Sequence, residues 1–153
     1  MADQTLLIIL TQQSIHIFPI RKLGDIMDIE KIISVLNQND WCDLEICGFY
    51  NNDLIIKGCL EITDQDYFIE MRFKHTTYIC APLSWTMDTT GEVFIKVTEK
   101  MLIPESSPEY QRYFHLGGKY LFSFLAEFFS SKEWVHIVAD SIEYKIINVI
   151  AVV

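Results

Sequence analysis

Three consecutive segments, Trp41 to Tyr50, Leu54 to Ile62 and Asp66 to Lys74, alternate apolar and polar residues with a period of two. Side chains two apart on a strand share a face, so this pattern calls for neighbouring strands with one covered side. In the first, Cys42, Leu44 and Ile46 face inward and Trp41, Asp43 and Glu45 outward. In the second, Leu54, Ile56, Gly58, Leu60 and Ile62 face inward, and Lys57, Cys59 and Glu61 outward. The third turns Tyr67, Ile69, Met71 and Phe73 in and Phe68, Glu70 and Arg72 out. Turn residues between the segments make them an antiparallel meander.

Elsewhere the chain mixes both periods. Thr5 to Leu10 and Ile15 to Ile20 read as a hairpin split by Thr11-Gln12-Gln13-Ser14, its second strand ending at Pro19. Ile26, Ile29, Ile33 and Leu36 recur at helical spacing, which predicts a helix from about Asp25 to Asn37, closed by Asn37-Gln38-Asn39-Asp40. Thr77 to Cys80 and Glu92 to Thr98 continue the sheet, with a loop holding Pro82, Trp85 and Gly91 between them. Ser107-Pro108-Glu109 is a helix start. Leu121, Leu125 and Phe128 predict a second strong helix over Lys119 to Ser130, and Trp134 to Ala139 and Ile142 to Val153 read as strands, the last covered on both faces. The fold class is α+β: an antiparallel β-meander of roughly five to eight strands with two main helices. One domain over residues 1–153 suffices for this length.

Charge is distributed unevenly. Asp25 to Glu70 contains eleven acids against Lys31 and Lys57, which accounts for the whole formal net charge of −9, while the rest of the chain balances. A three-residue loop Asn51-Asn52-Asp53 would pair Tyr50 with Leu54, Ile46 with Gly58 and Leu44 with Leu60, and so set Asp43 opposite Glu61. A turn at Asp64-Gln65 would pair Leu60 with Ile69 and place Glu70 beside Cys59. Asp43, Glu45, Glu61 and Glu70 then share an outer face flanked by Trp41 and Phe68, with Lys57, Arg72 and Lys74 at its far end. Opposed like charges destabilise a sheet, and carboxylates around exposed aromatics suit an interface for a basic protein. The partner-binding residues expected are therefore Trp41, Asp43, Glu45, Glu61, Phe68 and Glu70.

No motif for a catalytic, cofactor or metal site is present. His16, His75, His115 and His136 lie in separate segments without metal-ligand spacing. His75 and Cys80, five residues apart on one run, are too far apart along a strand to act as a nucleophile pair. Cys42, Cys47, Cys59 and Cys80 read as reduced thiols. Gly117-Gly118-Lys119 lacks the spacing of a phosphate loop. The acidic balance disfavours nucleic acid, and no uncharged run approaches the roughly 20 apolar residues of a membrane span. A non-basic N-terminus with a short apolar run points to a cytoplasmic chain.

The sequence thus leads to a non-enzymatic cytoplasmic protein that neutralises or chaperones a basic protein partner, as an immunity protein does for a nuclease-type toxin. Two alternatives stand beside it. One is a metal-dependent enzyme or small-ligand binder using Asp43, Glu61 and Glu70, and the other a self-associating subunit that uses the last strand as an edge.

Overall fold

A computed structural model describes residues 5–10, 15–20, 28–60, 66–91, 93–128 and 131–147. Within them, β1 (Thr5–Leu10) and β2 (Ile15–Ile20) form the expected hairpin, a sheet of its own that pairs Thr5 with Ile20 and Leu10 with Ile15, with β2 running one residue past Pro19. The helix α1 (Asp28–Leu36) follows, then the three alternating strands β3 (Trp41–Tyr50), β4 (Asp53–Cys59) and β5 (Ile69–Lys74). Next come β6 (Tyr78–Cys80), β7 (Ser84–Asp88), β8 (Ile95–Glu99), a 3-10 turn (Lys100–Leu102) and α2 (Pro108–Phe114). The described chain closes with β9 (Tyr120–Phe128), β10 (Ser131–Ala139) and β11 (Ser141–Ile146).

Nine of these strands form a single antiparallel sheet in the order β11-β5-β4-β3-β7-β9-β10-β6, with β8 added to β9. The two ends of that order are joined by the chain itself. β5 and β6 are one strand bent at His75, and β10 and β11 are one strand bent at Asp140. The first pairs the second on both sides of the bend: Phe73 with Ile142 below it and Ile79 with Ile137 above. The Asp140 N–H donates to Lys74 O and the Thr77 N–H to Val138 O across the bends, so the sheet closes into a barrel.

The inward residues fill it. Leu44, Leu54, Ile56, Ile69, Met71, Phe73, Met87, Phe122, Phe124, Ala126, Ile137 and Ala139 are fully buried in one cluster. Phe73 of β5 stands edge-on to Phe122 and Phe124 of β9, at 5.3 and 5.9 Å between ring centroids, although those strands do not pair. Ile29, Ile32 and Leu36 bring α1 into the same core at helical spacing. A second cluster lies outside the barrel wall, where Phe114 of α2 and Ile103 pack on Leu121 and Val138, flanked by Tyr78, Tyr110 and Tyr113. The start of α2 matches its sequence signal: Ser107 Oγ accepts from the Tyr110 N–H at 3.2 Å, and Pro108 occupies the first turn.

Four expectations are corrected. The stretch Lys119 to Ser130 is strand β9 rather than a helix. Phe122 and Phe124 face the barrel interior and Leu121 faces the α2 cluster, so the strand is apolar on both sides and its residues also fall at helical intervals. Eleven strands are present among the described residues, more than anticipated, and the fold is strand-dominated with two short helices. The last strand is not covered on both faces within its described part: Ile146 and Ile147 are exposed, and only Ile142 is deeply buried. Trp85, expected in a loop, is an inward residue of β7.

Candidate interaction face

The register of the meander decides what its outer face carries. Asn51 and Asn52 both adopt positive φ, 50° and 68°, which is the type I′ turn of a two-residue hairpin. Tyr50 therefore pairs with Asp53 rather than with Leu54. A bulge between Ile46 and Gly48 then moves the register by one more residue, so that Ile46 faces Ile56 and Leu44 faces Gly58. Upstream of the bulge the shift totals two residues, which keeps Cys42, Leu44 and Ile46 on their expected face and changes their partners. In and beside the connection between β4 and β5 the expected faces fail, because parity no longer holds there. Leu60, expected inward, is 41% exposed and Cys59, expected outward, is buried. Tyr67, expected inward, reaches Glu45 on the outer face, and Phe68, expected outward, packs against the core.

Asp43 consequently lies opposite Cys59 on one side and Thr86 on the other, and not opposite Glu61. Thr86 Oγ1 donates to its Oδ1 at 2.6 Å. Glu45 faces Lys57, and Lys57 in turn faces Glu70 instead of leaving Glu70 beside Cys59. Glu70 also faces Lys145 on β11. The four residues make a row of alternating sign across β11, β5, β4 and β3, with Lys145 Nζ 3.3 Å and Lys57 Nζ 4.0 Å from the Glu70 carboxylate. Tyr67 bridges the end of this row: its hydroxyl donates to Glu45 Oε2 and its ring lies 5.5 Å from Lys57 Nζ. That hydrogen bond to a carboxylate, with burial, raises the Tyr67 hydroxyl above its usual range. The expected gathering of like charges is thus replaced by opposed ones, which stabilise a sheet.

A second carboxylate is tied more deeply. Asp53, at the turn, is 5% exposed and accepts from Lys74 Nζ at 2.8 Å and from the His75 N–H at 3.0 Å, with Arg72 Nη1 at 3.9 Å. Burial alone would push its carboxyl up, but the lysine, the backbone N–H and the arginine outweigh it and hold the group below the usual carboxylate range. Arg72 and Lys74, expected at the far end of the face, are the partners of Asp53, whereas Lys57, expected with them, pairs with Glu70.

Of the two aromatics, Trp41 is 48% exposed on the outer face, and its Nε1–H donates to Leu60 O at 2.9 Å, which fixes the ring against the end of β4. Phe68 is half-buried and packed against the main core, so it is not part of an exposed rim. Glu61 lies outside the described residues. The structure therefore groups Trp41 and Asp43 on one outer face, separates Glu45 and Glu70 into the alternating row, and withdraws Phe68. It adds Asp88, which faces Trp41 on β7. Asp88 accepts from the Thr90 N–H and hydroxyl and pairs with Lys132 Nζ at 3.1 Å; these bonds lower its pKa to about 2. Nothing in the spacing of Asp88 signals this position, because the strand that carries it reads as a loop.

Asp43 and Glu70 fall in different rows, two strands apart, so they do not form a shared ligand set. Among the described residues, no group of three or more His, Cys, Asp and Glu is placed to hold a metal ion. Nor is any described helix long and apolar enough to cross a membrane. Comparison of the chain with family models, curated proteins and solved structures returns no match.

Proposed function

We propose that this chain is a small binding protein that neutralises or chaperones a basic protein partner, in the manner of an immunity protein against a nuclease-type toxin, through the outer face around Trp41 and Asp43. The observation that supports it is the Trp41 ring, half exposed yet fixed in place by its hydrogen bond to Leu60 O, on a face that also carries Asp43 and Asp88. An ordered aromatic loses little conformational freedom on binding, which is why tryptophan is common among the residues that dominate interfaces. Exposed Asp40 precedes Trp41, and the whole chain carries −9. In such a complex the acids accelerate encounter with a cationic surface and the indole supplies the buried contact.

Glu45 and Glu70, being spent on the alternating row, contribute to sheet stability in this reading rather than to recognition. The test uses the purified partner recovered by low-salt capture on the immobilised chain. Asp43→Lys is expected to slow association about tenfold and flatten its salt dependence, while Trp41→Ala mainly speeds dissociation. A partner without a basic surface, or one whose association is indifferent to both substitutions, would overturn the reading.

A further inference from the structure

The bends that close the barrel bring together two residues that the sequence holds 56 positions apart: Cys80 on β6 pairs directly with His136 on β10. Directly opposed residues on a sheet hold their β-carbons about 5 Å apart on the same face. On the other flank of His136, Ser123 of β9 is its cross-strand partner, and Ser123 Oγ lies 2.9 Å from His136 Nδ1. Ser123 is buried, Cys80 exposed and His136 between the two, so the row runs from the covered wall of the barrel to solvent. Tyr113 of α2 packs on the imidazole at 5.1 Å and on Tyr78 at 5.4 Å, which supplies an aromatic wall. Burial first, and then the neighbouring Cys80 thiol, raise the Tyr78 hydroxyl above its usual range. Burial, with Arg112 nearby, lowers the His136 pKa, so the ring is neutral at physiological pH and able to take a proton.

The other three cysteines lack this arrangement. Cys42 and Cys59 are fully buried. Cys47 is exposed, but burial of its sulfur and then the Glu45 carboxylate raise its pKa and disfavour its thiolate.

We propose that Cys80 is a reactive thiol that exchanges with low-molecular-weight disulfides, with His136 as its proton acceptor and Ser123 as the residue that positions the imidazole. When Nδ1–H donates to Ser123 Oγ, Nε2 is left as the acceptor. The Cys80 thiol proton passes to Nε2 as the sulfur attacks one sulfur of the incoming disulfide. The S–S bond of the reagent breaks, a mixed disulfide forms on Cys80, and the departing thiolate takes the proton back from His136. One disulfide replaces another, and no further oxidant is needed.

The test is the rate of mixed-disulfide formation with oxidised glutathione on the native chain, resolved site by site by mass spectrometry. Cys80 is expected to react about fivefold or more faster in the folded chain than in the same chain unfolded in urea, where no neighbour acts on it. His136→Gln should bring the folded Cys80 rate to within about twofold of that unfolded reference while leaving the Cys47 rate unchanged, and Ser123→Ala should give an intermediate rate. Cys42 and Cys59 report on folding, since they stay unmodified as long as the barrel is intact. A folded Cys80 rate no higher than the unfolded one overturns the proposal without any variant, and so does a Cys80 rate indifferent to His136→Gln in a folded protein.

Discussion

Asp53 keeps a buried charge through Lys74, Arg72 and the His75 N–H. It is buried where the β3–β4 turn meets the bend after β5, and its oxygens accept from Lys74 and from the His75 backbone, the latter at a positive φ of 51°. Asp53→Asn removes the charge that Lys74 and Arg72 face and weakens the hold on the bend. A loss of about 2 kcal/mol in denaturant unfolding is expected. The pH dependence has a fixed sign. The folded pKa is depressed, so the stability that Asp53 contributes is complete above its unfolded value near 3.9 and is lost as pH falls through the lower folded value. Asp88 behaves in the same way down to its pKa of about 2. The midpoint difference between the native chain and Asp53→Asn should therefore shrink as the pH is taken from neutral to below about 4. A difference that holds constant across that range would show that Asp53 acts through shape rather than charge.

At the scale of single elements, the β3–β4 hairpin shows how a turn governs a face. Both turn residues occupy the left-handed region, where glycine is more at ease than asparagine at the second position. Asn52→Gly is expected to leave the register intact and to change stability by no more than about 0.5 kcal/mol, whereas Asn52→Val costs about 1–2 kcal/mol. Further along β4, a β-carbon on Gly58 would meet Ile69 Cγ2 at 2.8 Å and Cys42 Sγ at 3.1 Å inside the barrel. Gly58→Val should accordingly destabilise by about 2–3 kcal/mol, read from the thermal or denaturant midpoint. The inward positions of Cys42 and Leu44 on β3, Leu54 and Ile56 on β4 and Ile69, Met71 and Phe73 on β5 were legible in the sequence because alternation within a strand depends only on parity; Leu60, Tyr67 and Phe68, in the connection between β4 and β5, do not follow it. Their partners were not, because one residue of offset came from the turn type and one from a bulge at Cys47, and hydrophobic pattern reports neither. β9 was misread for a related reason: a strand covered inside by the barrel and outside by α2 has no polar face to display its period. The site suffered with the register. Trp41 and Asp43 kept their outer positions, while the grouping of Glu45, Glu61 and Glu70 depended on pairings that do not occur.

For the whole molecule, closure couples segments remote in the chain. The first meander, β3 to β5, meets the second half through β3 with β7 and through β5 with β11. Ile142 sits on the second seam, opposite Phe73 and 2% exposed. Ile142→Asp places a carboxylate in that apolar seam and is expected to cost about 3–5 kcal/mol, with one cooperative transition retained, since neither half buries its inner face alone. Two separated transitions in calorimetry would show instead that the halves fold independently. Because most pairings join distant residues, refolding should also be slow for a chain of this size, in the millisecond-to-second range of β-rich domains.

The bent strands have one more consequence, which concerns crowding of copies rather than stability of one. An open sheet offers unpaired N–H and C=O groups at both ends, and a strand as apolar as Ile69-Glu70-Met71-Arg72-Phe73 would recruit a neighbour's edge. By turning at His75 and Asp140 and pairing β5 with β11, the chain satisfies that edge from within. A lesion on the seam would therefore be felt first as self-templated association, seen as light scattering that rises with protein concentration at temperatures where the helical and strand signals of circular dichroism are still intact.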